Sequence, residues 1–257
     1  MIRIKTQEEI EILRENAILV SKTLAEVGKH IAPGITTMEL DRIAEKFIRD
    51  NGAEPGFLGY GGFPYTLCVS VNDVVVHGFP SDYHLKDGDI VSVDCGTIYK
   101  GFYGDSAYTF PVGNVSDETR KLLDVTKESL YRGIEKAVAG NRVGDIGHAV
   151  QSYAESYGFS VVREFVGHGI GKNMHEHPEV PNYGRIGSGK KLIKGMTICI
   201  EPMVNAGEKS IYLHDNGWAV STLDKKYSAH FELTVAITDN GPDVLSTFDY
   251  IEGKRQY

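Results

Sequence analysis

Two separate stretches of this chain repeat at nearly one offset, and that limits the possible folds more than any other feature. Gly34 and Gly140 lie 106 residues apart, and so do Gly52 and Gly158. In that register Leu40 falls on Ile146, Ala44 on Val150 and Phe47 on Tyr153. Further on, residues 88–94 (GDIVSVD) align with residues 195–201 (GMTICIE) at an offset of 107. Identity between the copies is low, but two independent blocks keeping one spacing point to a duplication. At about 150 residues per domain, 257 residues fall between one domain and two. The repeat resolves this into one domain, about 1–250, built from similar halves at about 1–113 and 114–245 around a pseudo-two-fold axis.

The order of elements follows the repeat. Thr6 and Glu9 form a T-x-x-E capping box, and Ile10, Leu13, Ala17, Val20, Leu24, Val27 and Ile31 make the apolar stripe of a helix. After Pro33-Gly34, Thr36 and Glu39 cap a second helix with Leu40, Ile43, Ala44 and Phe47 inside and Gly52 at its end. Residues 53–65 read as loop. Strands are predicted at 67–71 and 74–77 around an Asn72-Asp73 turn, and a hairpin at 89–98 and 102–110 around Tyr99-Lys100-Gly101. The pattern then restarts, with helices at about 117–138 and from about Gly144 to Gly158, and strands at 160–166, 197–201 and 230–238. Residues 251–257 form a charged tail expected to fray.

Several classes are excluded or disfavoured. No apolar run approaches the roughly 18 residues that a membrane helix needs. The start, MIRIKTQEEI, lacks the apolar core of a secretory signal. Cys68, Cys95 and Cys199 suggest no disulfide framework, which fits a reducing cytoplasm. The formal charge of −8 argues against a broad nucleic-acid footprint.

The chemistry is carried by carboxylates. Asp94 ends a strand of alternating apolar residues, and Asp105 sits in the next strand among Phe102, Tyr103 and Ala107. The second copy repeats this with Glu201, ending TICIE, and Glu232, inside HFELTVAI. A single such residue reads most simply as a solvated strand position. Four in matching places read as a converging cluster, whose mutual repulsion calls for cations. A histidine is the expected complement. His168 lies among glycines in FVGHGIG, near His175 and His177, and His77 ends the strand VVVH. His30, His84, His148, His214 and His230 have no such context and are expected at the surface or as satisfied core residues. Carboxylates with one imidazole suit paired Mn, Fe(II), Co or Zn, and such pairs are typical of hydrolases. Strand alternation puts Cys199 on the face of Glu201, where a small apolar filler is the simplest reading.

These residues sit in the segments PGITTMELD, CVSVNDVVVHGFP, GDIVSVD, GFYGD, GHGIGKNMHEHP, IEPM and FELT. Through them the sequence resembles the methionine aminopeptidases of type I, the short bacterial form, over about residues 3–245. The resemblance implies an α/β (α+β) pita-bread fold, the creatinase/aminopeptidase fold, with internal pseudo-two-fold symmetry and an antiparallel sheet backed by helices. It implies two divalent metal ions (Co, Mn, Fe(II) or Zn) held by Asp94, Asp105, His168, Glu201 and Glu232, with Asp105 and Glu232 bridging. The implied activity is removal of the N-terminal methionine from peptides and nascent chains, favouring a small second residue, by a metal-activated water. In that scheme His175 stabilises the oxyanion, Glu201 moves the proton to the leaving amine and His77 holds the following peptide nitrogen. The implied methionine pocket draws on Tyr60, Phe63, Cys68, Met174 and Trp218, with Met174 where phenylalanine is often found. A cytoplasmic monomer is the expectation, with the ribosome as a candidate partner that the sequence leaves open.

Residues 94–105 (DCGTIYKGFYGD) also resemble prolidases and aminopeptidase P, but Glu164-Phe165-Val166 stand where those families carry an extra histidine. Type II methionine aminopeptidases carry a long insertion where only 25 positions here separate His175 from Glu201. A non-catalytic binding protein on the same scaffold would be expected to lose metal ligands, and all five are present.

Overall fold

The computed structural model describes residues 2–253. Helix α1 (Gln7–Gly28) and helix α2 (Thr37–Asp50) each begin at the expected capping box, with the Thr6 and Thr36 hydroxyls accepting from the Glu9 and Glu39 amides. The stripe of α1 is fully buried at Leu13, Val20, Leu24 and Val27. The stretch after α2 is less irregular than expected. It holds a two-residue strand β1 (Glu54–Pro55) and a single 3-10 turn at Tyr60–Gly62. Then come β2 (Leu67–Val71), β3 (Val74–Val76), β4 (Ile90–Tyr99) and β5 (Phe102–Pro111). The β4–β5 hairpin pairs over ten residues. Its turn residues Lys100 and Gly101 both have positive φ, as a two-residue type I′ turn requires.

Helix α3 (Asp117–Ile134) ends four residues short of the expected boundary. The amides that follow, at Lys136 and Ala137, bond back three residues to Gly133 and Ile134, so the end tightens into 3-10 turns. Helix α4 (Val143–Ser156) crosses α3 closely, since a Cβ on Gly133 would lie 2.8 Å from Val150 Cγ2. The remaining elements are β6 (Ser160–Val161), β7 (Gly167–Gly169), β8 (Glu176–Val180), β9 (Thr197–Ile200), β10 (Met203–Asn205), β11 (Ile211–Leu213), β12 (Val220–Thr222), β13 (Ser228–His230), β14 (Leu233–Thr238), β15 (Gly241–Val244) and α5 (Asp249–Glu252).

Every ladder among the described residues is antiparallel, but the strands form four sheets rather than one. Two breaks set the site. The expected strand 230–238 splits, with β13 pairing with β10 while β14 pairs with β9. Between them Glu232 donates its amide to Ala107 of β5 at 2.9 Å. The expected strand 197–201 likewise ends at Ile200, because Pro202 follows Glu201 and cannot donate to a ladder. The expected strand 160–166 pairs only at β6. Ile251 and Glu252, expected to fray, belong to α5, where Glu252 accepts from Tyr108 and Lys127. The rest of the tail, from residue 254, lies outside the described residues.

One buried amide ties α1 to the hairpin. Asn16 donates to Phe102 O at 2.8 Å and accepts from the Thr97 hydroxyl at 2.5 Å, directly over Gly104. Asn16→Ala leaves these groups unpaired in the core, and chemical denaturation should show a loss of about 2 kcal/mol or more. A loss below about 0.5 kcal/mol, the size of an ordinary surface substitution, would contradict this account.

Candidate metal centre and cleft

The hairpin β4–β5 supplies the first pair of carboxylates. Its register sets Asp94 opposite Ala107 and Gly96 opposite Asp105, so the two acids lie diagonally on one face. Glu201 and Glu232 come from the two ladder breaks, and His168 from β7. His168 Nε2 lies 3.6 Å from Asp105 Oδ2 and 3.5 Å from Glu201 Oε1. These contacts are not ion pairs. Burial, reinforced by His175, lowers the His168 pKa to about 3. Its Nδ1 lies 2.9 Å from the Gly169 carbonyl, which can only accept, so the proton sits on Nδ1. The Nε2 lone pair therefore faces two carboxylates.

That arrangement is repulsive unless positive charge lies between the groups. Asp94 Oδ1, Asp105 Oδ1 and Glu232 Oε1 are buried without a hydrogen-bond partner. Burial pushes the Asp94 carboxyl up to about 6. Burial and then neighbouring carboxylates raise Asp105, Glu201 and Glu232 well above the usual range. Ligand atoms of Asp105, His168, Cys199 and Glu232 lie within 4.8 Å of one another. Orphaned oxygens, an imidazole oriented by a backbone carbonyl and an oxygen-rich donor set all fit divalent first-row cations. The five residues expected as ligands all line one cavity.

The rest of the lining is largely aromatic. Tyr60, Phe63, Cys68 and Trp218 are part of it, with Cys68 directly across the β2–β4 ladder from Asp94 and Phe63 edge-on to Trp218 at a ring separation of 5.1 Å. Met174 does not line the cavity. It is fully buried behind the wall, in one cluster with Phe57, Phe63 and Cys68. Phe57 and Phe165 join the lining instead, and no sequence pattern marks them.

His77 lines the cleft between Phe165 and Trp218, with burial lowering its pKa to about 4. It has a left-handed backbone, and Gly78 next to it could carry no Cβ, which would lie 2.2 Å from Val69 O. His175 meets Tyr60 Oη through Nδ1 at 2.8 Å and packs 4.4 Å from the His168 ring. Its neighbour Glu176 is locked by a buried ion pair to Lys5 at 2.6 Å.

His230 corrects the sequence reading. It is buried but not satisfied: its Nε2 has no partner, lies 3.7 Å from Glu201 Oε2 and faces the cavity. Period-two alternation in HFE, which sets 230 and 232 on one face, is the available signal. Cys199 is buried beside Thr234 and is close enough to the acids to be more than remote filler.

The model of metallopeptidase family M24 matches residues 11–239. The chain is 54% identical over 246 residues to a methionine aminopeptidase of Clostridium perfringens, covering 96% of this chain and 99% of that protein. It is 52% identical over 246 residues to methionine aminopeptidase 1 of Bacillus subtilis, with the same coverage. The crystal structure of methionine aminopeptidase from Rickettsia prowazekii superposes with a TM-score of 0.95 at 42% identity, covering 96% of this chain and all of that one.

The crowded acids set a pH dependence. A carboxyl whose folded pKa is raised makes the fold most stable below its unfolded pKa, and that stability is lost as pH rises through the folded value. His77, His168, His175 and His230, all lowered by burial, act oppositely, and their effect fades within about one unit above their ordinary 6.5. Above about pH 7.5 the raised carboxyls outweigh them. With chelator present, the melting temperature should fall from about pH 7.5 to about 8.5, and added Mn or Co should reverse the fall. A melting temperature that rises over this window in chelator would exclude the repulsive cluster.

Proposed function

Since the chain belongs to metallopeptidase family M24, and within it to the methionine aminopeptidases, we propose that its cleft holds two divalent cations between Asp94, Asp105, His168, Glu201 and Glu232. The activity itself follows from membership: the chain is a hydrolase that removes N-terminal methionine. The observation that carries the site assignment is the lone pair of His168 facing Asp105 and Glu201, in a cluster where Asp94, Asp105 and Glu232 each keep a buried oxygen without a partner.

When bound, the cations supply Lewis acidity and lower the pKa of a water so that it can attack near neutral pH. The chain supplies the rest. Glu201 reaches the cleft surface and can take a proton from the attacking water and pass it to the leaving amine. His175 presents an imidazole donor to the developing oxyanion. His77, held by its strained backbone, orients the peptide nitrogen beyond the methionine. Phe63, Trp218, Tyr60 and Cys68 bury the thioether against aromatic faces, where sulfur packs well.

Co, Mn, Fe(II) and Zn all suit the donor set. We extend the substrate to nascent chains with a small second residue, in the cytoplasm beside the ribosome. All five ligands and the aromatic wall come from one chain, which supports a monomer as the active unit. The matched order of helix pair, strands and carboxylates supports a single catalytic domain of two similar halves.

Release of methionine from Met-Ala-Ser should vanish on chelation and return on adding Mn, Co, Fe(II) or Zn separately. Glu201→Ala should abolish turnover while the protein stays folded. His175→Ala should lower kcat about 10²–10³-fold, as loss of an oxyanion donor does. No release with any of the four ions, or cleavage of Xaa-Pro peptides only, would sink the assignment.

A further inference from the structure

We propose that Tyr60, besides walling the methionine subsite, is a positioning residue for the reaction: its hydroxyl donates to Nδ1 of His175 and fixes that imidazole as the Nε2–H tautomer. This rests on the reading of His175 as the oxyanion donor. A neutral imidazole has one N–H and one lone pair, and either nitrogen can carry the proton. An oxyanion donor needs the proton on the nitrogen that faces the substrate. Tyr60 Oη lies 2.8 Å from His175 Nδ1, with the rings 5.4 Å apart and inclined at 51°. The phenol oxygen shares its lone pairs with its ring, so it is the weaker acceptor and the better donor of the two groups. The hydrogen bond therefore runs from Tyr60 to Nδ1, and the proton of His175 is left on Nε2, on the far side of the ring.

Nothing else sets this choice. Among the described residues no other hydrogen bond to the His175 ring is present. The Lys5–Glu176 ion pair and the ring of His168 restrain where the imidazole sits, but neither distinguishes its two nitrogens. Tyr60 is itself well placed for the task. It occupies a 3-10 turn closed by Tyr60 N to Phe57 O at 2.9 Å and Phe63 N to Tyr60 O at 2.9 Å. Gly59, with positive φ, allows the chain to enter that turn. The same turn carries Phe63, which meets Trp218. One turn thus shapes the methionine wall and sets the protonation pattern of the imidazole opposite.

Tyr60→Phe keeps the ring and removes the hydroxyl. We expect kcat for Met-Ala-Ser to fall roughly 10-fold, part of what a whole oxyanion donor contributes, with KM changed less than about twofold. In a His175→Ala background the same change should have no further effect on kcat, because the hydroxyl acts only through the imidazole. Imidazole ¹⁵N shifts in the metal-free protein, and again with diamagnetic zinc added, should show His175 as Nε2–H, and as a mixture in Tyr60→Phe. A rise in KM alone, an equal loss of kcat in both backgrounds, or an Nδ1–H pattern in the wild type would overturn the proposal. An unchanged kcat in His175→Ala would instead overturn the role of His175 itself, while the nitrogen shifts still report the hydrogen bond.

Discussion

Repulsion among four carboxylates at one seam is the constraint to which the rest of the molecule is fitted. Acids this close are tolerated only on elements that cannot drift apart or swing to solvent. Asp94 and Asp105 are fixed by a ten-residue hairpin whose register allows no slip without turning both side chains to the other face. Glu201 is fixed by Asn182, which donates to its carbonyl at 3.0 Å, and by the proline that follows. Glu232 is fixed by its amide bond to Ala107 on that same hairpin. The seam between the first hairpin and the later strands is therefore also the place where the acids meet. The helices lie outside it, their apolar stripes merged into the large core under β4, β5, β9 and β14.

Much of this is legible in the sequence because it is local. Capping boxes announce α1 and α2 through residues three apart, and the Lys100-Gly101 turn announces the hairpin. Asp94 and Asp105 stand out because a carboxylate among alternating apolar residues is costly unless something compensates it. What cannot be read is tertiary. The stretch 230–238 has the pattern of one strand, and only its competing partners, β10 and β9, cut it at Phe231 and Glu232. Strands β11, β12 and β15 are only three or four residues long, so they carry little periodic signal. His230 escapes a sequence reading because an imidazole is equally at home inside and outside. Met174 belongs to the pocket by its place in a motif, yet its side chain supports the wall from behind.

The two carboxylate pairs are matched, but the groups around them are not, and the difference gives the cleft a direction. A wholly symmetric site would accept a peptide in two opposite senses. Here Tyr60, Phe63 and Cys68 build an apolar wall on the side of Asp94, which Cys68 faces across the β2–β4 ladder, while His168 lies between Asp105 and Glu201 and packs against His175. In the proposed reading, burial of the thioether draws a methionine side chain toward the first set and turns its carbonyl toward the imidazoles. Tyr60 crosses between the two sets, and its hydroxyl meets His175 Nδ1 at 2.8 Å. The strain at His77 belongs to the same logic. A left-handed backbone next to a glycine with no room for a Cβ persists only where the surrounding strands over-determine it. It places an imidazole on the cleft lining between Phe165 and Trp218.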